Sequence, residues 1–302
     1  MKTFIVGEAM LEYHSHGGTG LRYGGDTLNT AIHMARRGLD VAYVTAVGTD
    51  PVSDALVRAW AEEGIDVTHV HRHPDRSPGI YAIHLDAAGE RSFLYWRDAS
   101  AAREMFALPG MERTLAAAQD CDLVYFSLIS LAVIGDAGRE ALLGLARARK
   151  AAGRAVAYDS NYRPRLWPDA GQAQAASLAA AGAATIGLPT NVDERELFAD
   201  AADEPAIAAR WHAAGCDEVI VKAGERGCFH SGPDCAQAFP VAPVRVVDSS
   251  GAGDAFNAGY LHARLTGADR DRAIAAGQAL AAETLGHLGA IEVGRRRALN
   301  PA

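Results

Sequence analysis

Asp248-Ser249-Ser250-Gly251-Ala252-Gly253-Asp254-Ala255-Phe256-Asn257-Ala258-Gly259-Tyr260 decides how the rest of the chain is read. The run Val244-Arg245-Val246-Val247 before it has β-type composition, and Ala255 to Leu265 has helical composition, so its first two glycines fall at a strand-to-helix turn. Glycine lets the backbone come close to a ligand, and the first N–H groups of a helix have no acceptor within it, so such a turn suits an anion. Two readings of Asp254 stand side by side. A carboxylate in a first helical turn is ordinarily a favourable charge beside the positive end of the helix dipole. Alternatively, the amides of Gly251, Ala252 and Gly253 hold a phosphoryl group while Asp254 takes the proton of the hydroxyl that attacks it.

Composition narrows the field. A chain of 302 residues with 49% hydrophobic and 22% charged residues has ample core for one large α/β domain or two smaller ones. A net charge of -8 and 7% aromatic content disfavour a nucleic-acid surface, which needs clustered Lys and Arg or stacking platforms. Cys121, Cys216, Cys228 and Cys235 have neither C-x-x-C spacing nor disulfide-dense spacing. Residues 1–8 meet a charge too early for a signal peptide, and no apolar run approaches membrane-spanning length, so a cytoplasmic protein with no membrane partner is expected.

Outward from the turn, strands and helices alternate, as in a parallel sheet covered on both faces. Strands are expected at Phe4–Gly7, Val41–Val47, Leu123–Phe126, Ala155–Asp159, Ala184–Leu188, Glu218–Lys222 and Cys228–Ser231. Helices are expected after Gly24-Gly25, from Asp50 to Glu63, Asp136 to Ala152, near Gln172 to Ala181, Val192 to Phe198, Pro205 to Ala214, Asp254 to Leu265 and Arg270 to Leu285. The rhythm breaks at Val67–His71, Gly79–Leu85 and Ser92–Trp96, short β segments separated by Pro74-Asp75, Ser77-Pro78 and residues 87–90. With a hairpin from Leu11 to Tyr23, these are expected to build a small separate sheet.

Further constellations carry chemistry. Gly24-Gly25 lets backbone approach a polyol, and Asp26 with Asn29, three residues apart on a first helical turn, offers an acceptor and a donor to hydroxyls; Asp26 is equally a plain helix cap. Arg97 ends a β segment and has a fork suited to a carboxylate, or is a sheet-edge surface residue. Asn161 and Arg163 lie just past a strand, where open α/β sheets bind ligands, or form a polar loop turned by Pro164. Asn191 heads a helix that carries Glu194, a candidate oxygen ligand for a hard divalent cation. Lys222-Ala223-Gly224-Glu225-Arg226-Gly227 is a nucleotide loop or simply a hairpin. His69, His71 and His73 share one face of an extended strand but have no acidic or cysteine partner nearby, and His14 and His16 are weaker still. P-loop and dinucleotide fingerprints are missing.

Ser249-Ser250-Gly251-Ala252-Gly253-Asp254, preceded by Asp248, resembles the C-terminal D-T-x-G-A-G-D signature of the ribokinase-like (PfkB) carbohydrate kinases, with Ser249 where Thr is commonest. The resemblance implies a three-layer α/β/α sandwich with a mostly parallel sheet. It further implies one kinase domain over 1–302, a discontinuous β lid from about 9–24 and 66–98, and homo-oligomers formed through that lid. It implies Asp254 as catalytic base and the Gly251 to Gly253 amides as anion hole. Gly24-Gly25-Asp26-Thr27-Leu28-Asn29-Thr30, Tyr95-Trp96-Arg97 and the string Asp159 to Trp167 resemble the 2-keto-3-deoxygluconate kinases of that family. By that likeness Gly24, Gly25, Asp26, Asn29, Tyr81, Tyr95, Arg97, Arg163 and Asp248 meet an acidic sugar. Asn161, Asn191, Lys222, Gly224 and Gly227 meet ATP, and Glu194 organises Mg2+. The implied activity is ATP-dependent phosphorylation of 2-keto-3-deoxygluconate at its 6-hydroxyl. A fructokinase and a sugar-binding regulatory protein of the same fold are the alternatives.

Overall fold

Lys2–Val6 forms β1, and its last four residues are buried, as a continuous apolar run must be when helices cover both faces of a sheet. The computed structural model describes residues 1–14, 22–85 and 91–292. After β1 come β2 (Met10–His14), β3 (Tyr23–Gly24), α1 (Asp26–Arg36), β4 (Asp40–Val47), α2 (Pro51–Glu62), β5 (Ile65–Asp66), β6 (Val70–Arg72), β7 (Gly79–Leu85) and β8 (Arg91–Trp96). The middle supplies α3 (Met111–Gln119), β9 (Leu123–Ser127), α4 (Leu128–Val133), α5 (Gly135–Ala151), β10 (Ala155–Asp159), α6 (Ala170–Ala183), β11 (Ile186–Gly187), α7 (Asn191–Phe198) and α8 (Glu204–Ala214). The last third holds β12 (Glu218–Lys222), β13 (Cys228–Gly232), β14 (Cys235–Phe239), α9 (Ala252–Leu265) and α10 (Arg270–Leu285).

The large sheet runs β14-β13-β12-β11-β10-β9-β1-β4-β5, with β6 also on β4. It is antiparallel only where β13 and β14 join. Because β1 lies between β4 and β9, the chain winds outward from it first one way and then the other. The crevice at such a reversal, beyond the carboxyl ends of the strands, is where open α/β sheets take ligands. Side-chain alternation splits the core in two. Phe4, Val124, Phe126 and Tyr158 pack under α5, α6 and α8, while Ile5, Tyr43, Tyr125 and Ile220 pack under α1, α2, α9 and α10. This is the expected three-layer sandwich.

A second sheet has the order β3-β2-β7-β8. It corrects one expectation, because Val67–His71 does not join it. Here β5 and β6 extend the large sheet along β4, with Val41 opposite Ile65 and Ala46 opposite His71. The crossover through α2 returns the chain parallel to β4, whose free edge accepts it. The turns expected at 17–20 and 87–90, and His16, lie outside the described residues.

Val244–Val247 is also not a strand. The hairpin of β13 and β14 already fills the edge beside β12, so this run stays irregular and exposed, with Val247 N–H donating to Leu285 O at 2.8 Å. The glycine turn therefore enters α9 from an irregular segment. The expected Ala184–Leu188 strand shrinks to Ile186–Gly187. α4, apolar but for Ser130, is fully buried and had no periodicity to read.

Candidate active site

Gly251 caps α9 in the left-handed region, at φ 71°. A Cβ there would lie 2.4 Å from Ala290 Cβ, so neither the conformation nor the packing admits a side chain. Asp254, in the first turn of α9, is buried, and Asn29 Nδ2 on α1 donates to its Oδ2 at 2.9 Å. Burial, and then the neighbouring charge of Asp26, push the Asp254 carboxyl up to about 8 against the pull of Asn29 and Lys222. Asp26 is raised as well, mainly by burial, against the pull of Ser127, the Thr27 N–H and Arg97. Asn161 Nδ2 reaches Asp26 Oδ2 at 3.4 Å. The sequence assigned Asn161 to the nucleotide; the fold sets it beside Asp26.

Beneath the turn lies a network in which sequence reading gave a role to Lys222 alone. Lys222, last in β12, donates to Asp159 Oδ1 at 3.1 Å and Asn257 Oδ1 at 3.0 Å. Asn257 Nδ2 in turn donates to Asp159 Oδ2 at 2.9 Å and Tyr125 OH at 3.1 Å. A Cβ on Gly253 would lie 3.7 Å from Lys222 Nζ, which sets the ammonium beside the glycine turn. Ser127 and Asp159 end neighbouring strands in register. Polar residues closing buried strands, and an Asn three residues past Asp254, were the signals available.

The second sheet supplies the other wall. Gly24 is close to Tyr81, since a Cβ there would fall 2.3 Å from the Tyr81 hydroxyl. That hydroxyl donates to Glu12, and burial with the Glu12 charge raises it well above the usual phenol range. Tyr95 lies 6.1 Å from the Tyr81 ring and 5.9 Å from the Arg97 guanidinium. Arg97 is buried and ion-paired through Nη2 to Glu8 Oε2, just beyond β1. Glu8, like Glu12, was not among the residues singled out in the sequence.

Other assignments change. Asp248, expected to meet substrate, accepts the Ser250 N–H at 2.9 Å and the Gly289 N–H at 2.6 Å, so both its oxygens hold the turn. Asn191 follows the capping Thr190, and its amide donates to Glu204 Oε1 at 2.7 Å. Glu194 is not turned to solvent. Arg210 Nη1 lies 3.3 Å from its Oε2, its Oε1 is buried without a hydrogen-bond partner, and burial pushes the carboxyl up to about 7. Arg163, 50% exposed, lies 3.5 Å from Asp193, whose carboxyl burial raises to about 6. Gly224 opens, and Gly227 follows, a single helical turn between β12 and β13.

His69 and His71 both meet Thr114 Oγ1, and His73 meets Glu104. Among the described residues no group of three or more His, Cys, Asp or Glu is arranged to hold a metal. A cavity of about 560 Å³ lies at the amino ends of β10, β11 and β12, away from Asp254. Its cations Arg154, Arg264 and Arg270 are paired with Asp120, Glu218 and Asp271.

The model of the pfkB family of carbohydrate kinases matches residues 11–295. The chain is 38% identical over 296 residues to a Dickeya dadantii protein named 2-dehydro-3-deoxygluconokinase, covering 95% of each. A PfkB protein of Polaromonas sp. JS666 superposes with a TM-score of 0.82 at 26% identity, over 93% of this chain and 95% of that one. An Escherichia coli putative ribokinase II in complex with ATP and Mg2+ does so with a TM-score of 0.82 at 23% identity, over 96% and 94%.

Proposed function

Because the chain belongs to the pfkB family of carbohydrate kinases and is a sugar kinase, we propose that it uses ATP to phosphorylate 2-keto-3-deoxygluconate at the 6-hydroxyl. One observation carries the chemistry: a buried carboxylate, Asp254, in the first turn of a helix entered through Gly251-Ala252-Gly253 and held by Asn29. The 6-hydroxyl oxygen attacks the γ-phosphorus, Asp254 accepts the hydroxyl proton, and ADP leaves. The amides at the start of α9 and the Lys222 ammonium absorb the charge that develops on the phosphoryl oxygens. Gly24, Gly25, Asp26, Asn29 and Tyr81 seat the sugar, and Arg97 and Arg163 take its acidic end. Glu194 does not fit as a direct ligand of magnesium, since a hard cation needs accessible oxygens and this carboxylate is fully buried with Oε2 against Arg210.

The name of the Dickeya relative supports the acidic substrate. The pairing of Arg97 with Glu8 favours a second reading, a neutral ketose such as fructose, because the guanidinium charge is already matched. Comparing kcat/KM for the two sugars decides: the proposal requires the keto acid to win by at least about tenfold.

The raised Asp254 carboxyl sets a pH dependence. The base is half ionised at about 8, so kcat/KM rises with pH through that value and levels off above it. A flat profile between pH 6 and 9 would remove Asp254 as the titrating base. For stability the sign is opposite. Between the unfolded value of 3.8 and about 8 the folded state keeps a proton that the unfolded chain gives up, so stability falls as pH rises through that window. Melts of Asp254→Asn should show a shallower fall, the Asp26 part remaining.

On the outer face of the second sheet, Tyr13, Leu94 and Trp96 are 61%, 55% and 60% exposed, opposite the face that carries Tyr81 and Tyr95. A second copy of the chain covers this apolar face. Trp96→Glu should convert a dimer to a monomer in sedimentation velocity; a wild-type monomer at micromolar concentration would refute the contact.

A further inference from the structure

Two buried polar atoms beside the sugar wall have no hydrogen-bond partner, and they belong to one ion pair. Arg97 Nη2 meets Glu8 Oε2, yet Glu8 Oε1 and Arg97 Nε are both unsatisfied. Burying such atoms without partners costs about 1–3 kcal/mol each, so together they point to a ligand that supplies an acceptor and a donor. The pair faces the chemistry. Glu8 follows β1 at the sheet's reversal, and Arg97 ends β8 of the second sheet. The absent side chain at Gly79 leaves room beside them, since a Cβ there would lie 3.1 Å from Glu8 Oε1 and 3.0 Å from Arg97 Cβ. The Arg97 charge acts on Asp26, and Asp26 on Asp254, which ties the pair to the proposed base.

We propose that Glu8 Oε1 accepts a hydrogen bond from a hydroxyl on the carbon that bears the substrate's carboxylate, while Arg97 takes the carboxylate itself. This rests on the keto-acid reading above and deepens it. A carboxylate ion-paired to a guanidinium accepts, so its partner must be a donor, and the donors of a sugar acid are its hydroxyls. In the open chain of a 2-keto-3-deoxy acid, the oxygen at C2 is a carbonyl and C3 carries none. Closing the 5-hydroxyl onto C2 places a hydroxyl and the carboxylate on the same carbon and leaves the 6-hydroxyl free for phosphorylation. Glu8 therefore selects the five-membered ring over the open chain. It also explains why a guanidinium meant for a carboxylate carries a fixed partner: the partner reads the neighbouring group.

The test pairs a change in the protein with one in the substrate. Wild type and Glu8→Gln are assayed with 2-keto-3-deoxygluconate and with 2,5-anhydro-3-deoxyhexonate of matching configuration, which keeps the ring, carboxylate and terminal hydroxyl but has hydrogen for the C2 hydroxyl. In wild type the KM of the analogue should exceed that of the keto acid by at least about tenfold, with kcat within about threefold. In Glu8→Gln, which keeps only a neutral amide acceptor in place of the carboxylate, the KM ratio should fall at least about threefold. A ratio unchanged by the substitution overturns the proposal, including the case where Glu8→Gln raises both KM values equally, the mark of a purely structural role. If Glu8→Gln does not fold, Glu8→Asp, with the same charge and one methylene less reach, is read by the same ratio. A wild type that accepts neither acid but phosphorylates fructose overturns the substrate reading together with this one. A wild type that discriminates, joined to an unchanged mutant ratio, overturns this one alone.

Discussion

Asp254→Asn should lower kcat by about a thousandfold while KM for sugar and ATP stays within a few fold, because general-base catalysis contributes roughly 10²–10⁴. Asparagine is the informative replacement. Its side-chain oxygen can still accept from Asn29 Nδ2, and the α1–α9 contact is kept, so a loss of turnover reports the missing base and not a collapsed site. The variant should also melt higher than wild type above pH 8, where the parent holds a buried charge next to Asp26. Turnover within tenfold of wild type would mean that another group removes the proton.

Lys222→Met should lose about 3–5 kcal/mol of stability, the usual cost of leaving one member of a buried pair uncompensated. The stranded group is Asp159, which keeps the Asn257 amide and a long bond from the Asn161 N–H, but no charge partner there, when the ammonium is gone. Activity should fall separately, since Nζ lies beside the Gly253 turn where phosphoryl charge develops. The double variant Lys222→Met/Asp159→Asn divides the two effects: thermal stability recovers most of its loss, and turnover does not. Recovery of both would make Lys222 a structural cation alone.

Much of this site could be read in one dimension because its chemistry is local. Gly251, Gly253 and Asp254 are adjacent, and a helix start needs no distant residue to become an anion site. Gly24-Gly25-Asp26 with Asn29 is similar, and so is the alternation of strands and helices that places the glycine turn in an α/β sandwich. The errors arose where a local pattern had to compete for a place. Val244–Val247 alternates like a strand but finds the sheet edge occupied by β13 and β14. Val67–His71 matches the lid segments in composition, yet the crossover through α2 delivers the chain to β4.

Glu194, Asn191 and Asp248 fit a familiar pattern of spacing, and spacing says nothing of the direction a side chain takes. Arg210, Glu204 and the Gly289 N–H, from 13 to 41 residues away, claim those groups instead. The Asp159–Lys222–Asn257 network and the Glu8–Arg97 pair join residues far apart in the chain, and each member alone is an ordinary polar residue at the end of an element. Residue order thus settled the class of fold and marked the glycine turn and Asp254 as the candidates for the anion site and the base. Which buried charges face one another, and therefore how high the base titrates and which oxygens remain for a ligand, depended on the packing of α1, α9 and the second sheet around the reversal at β1. Burial and charge act through space, and that distance is not written along the chain.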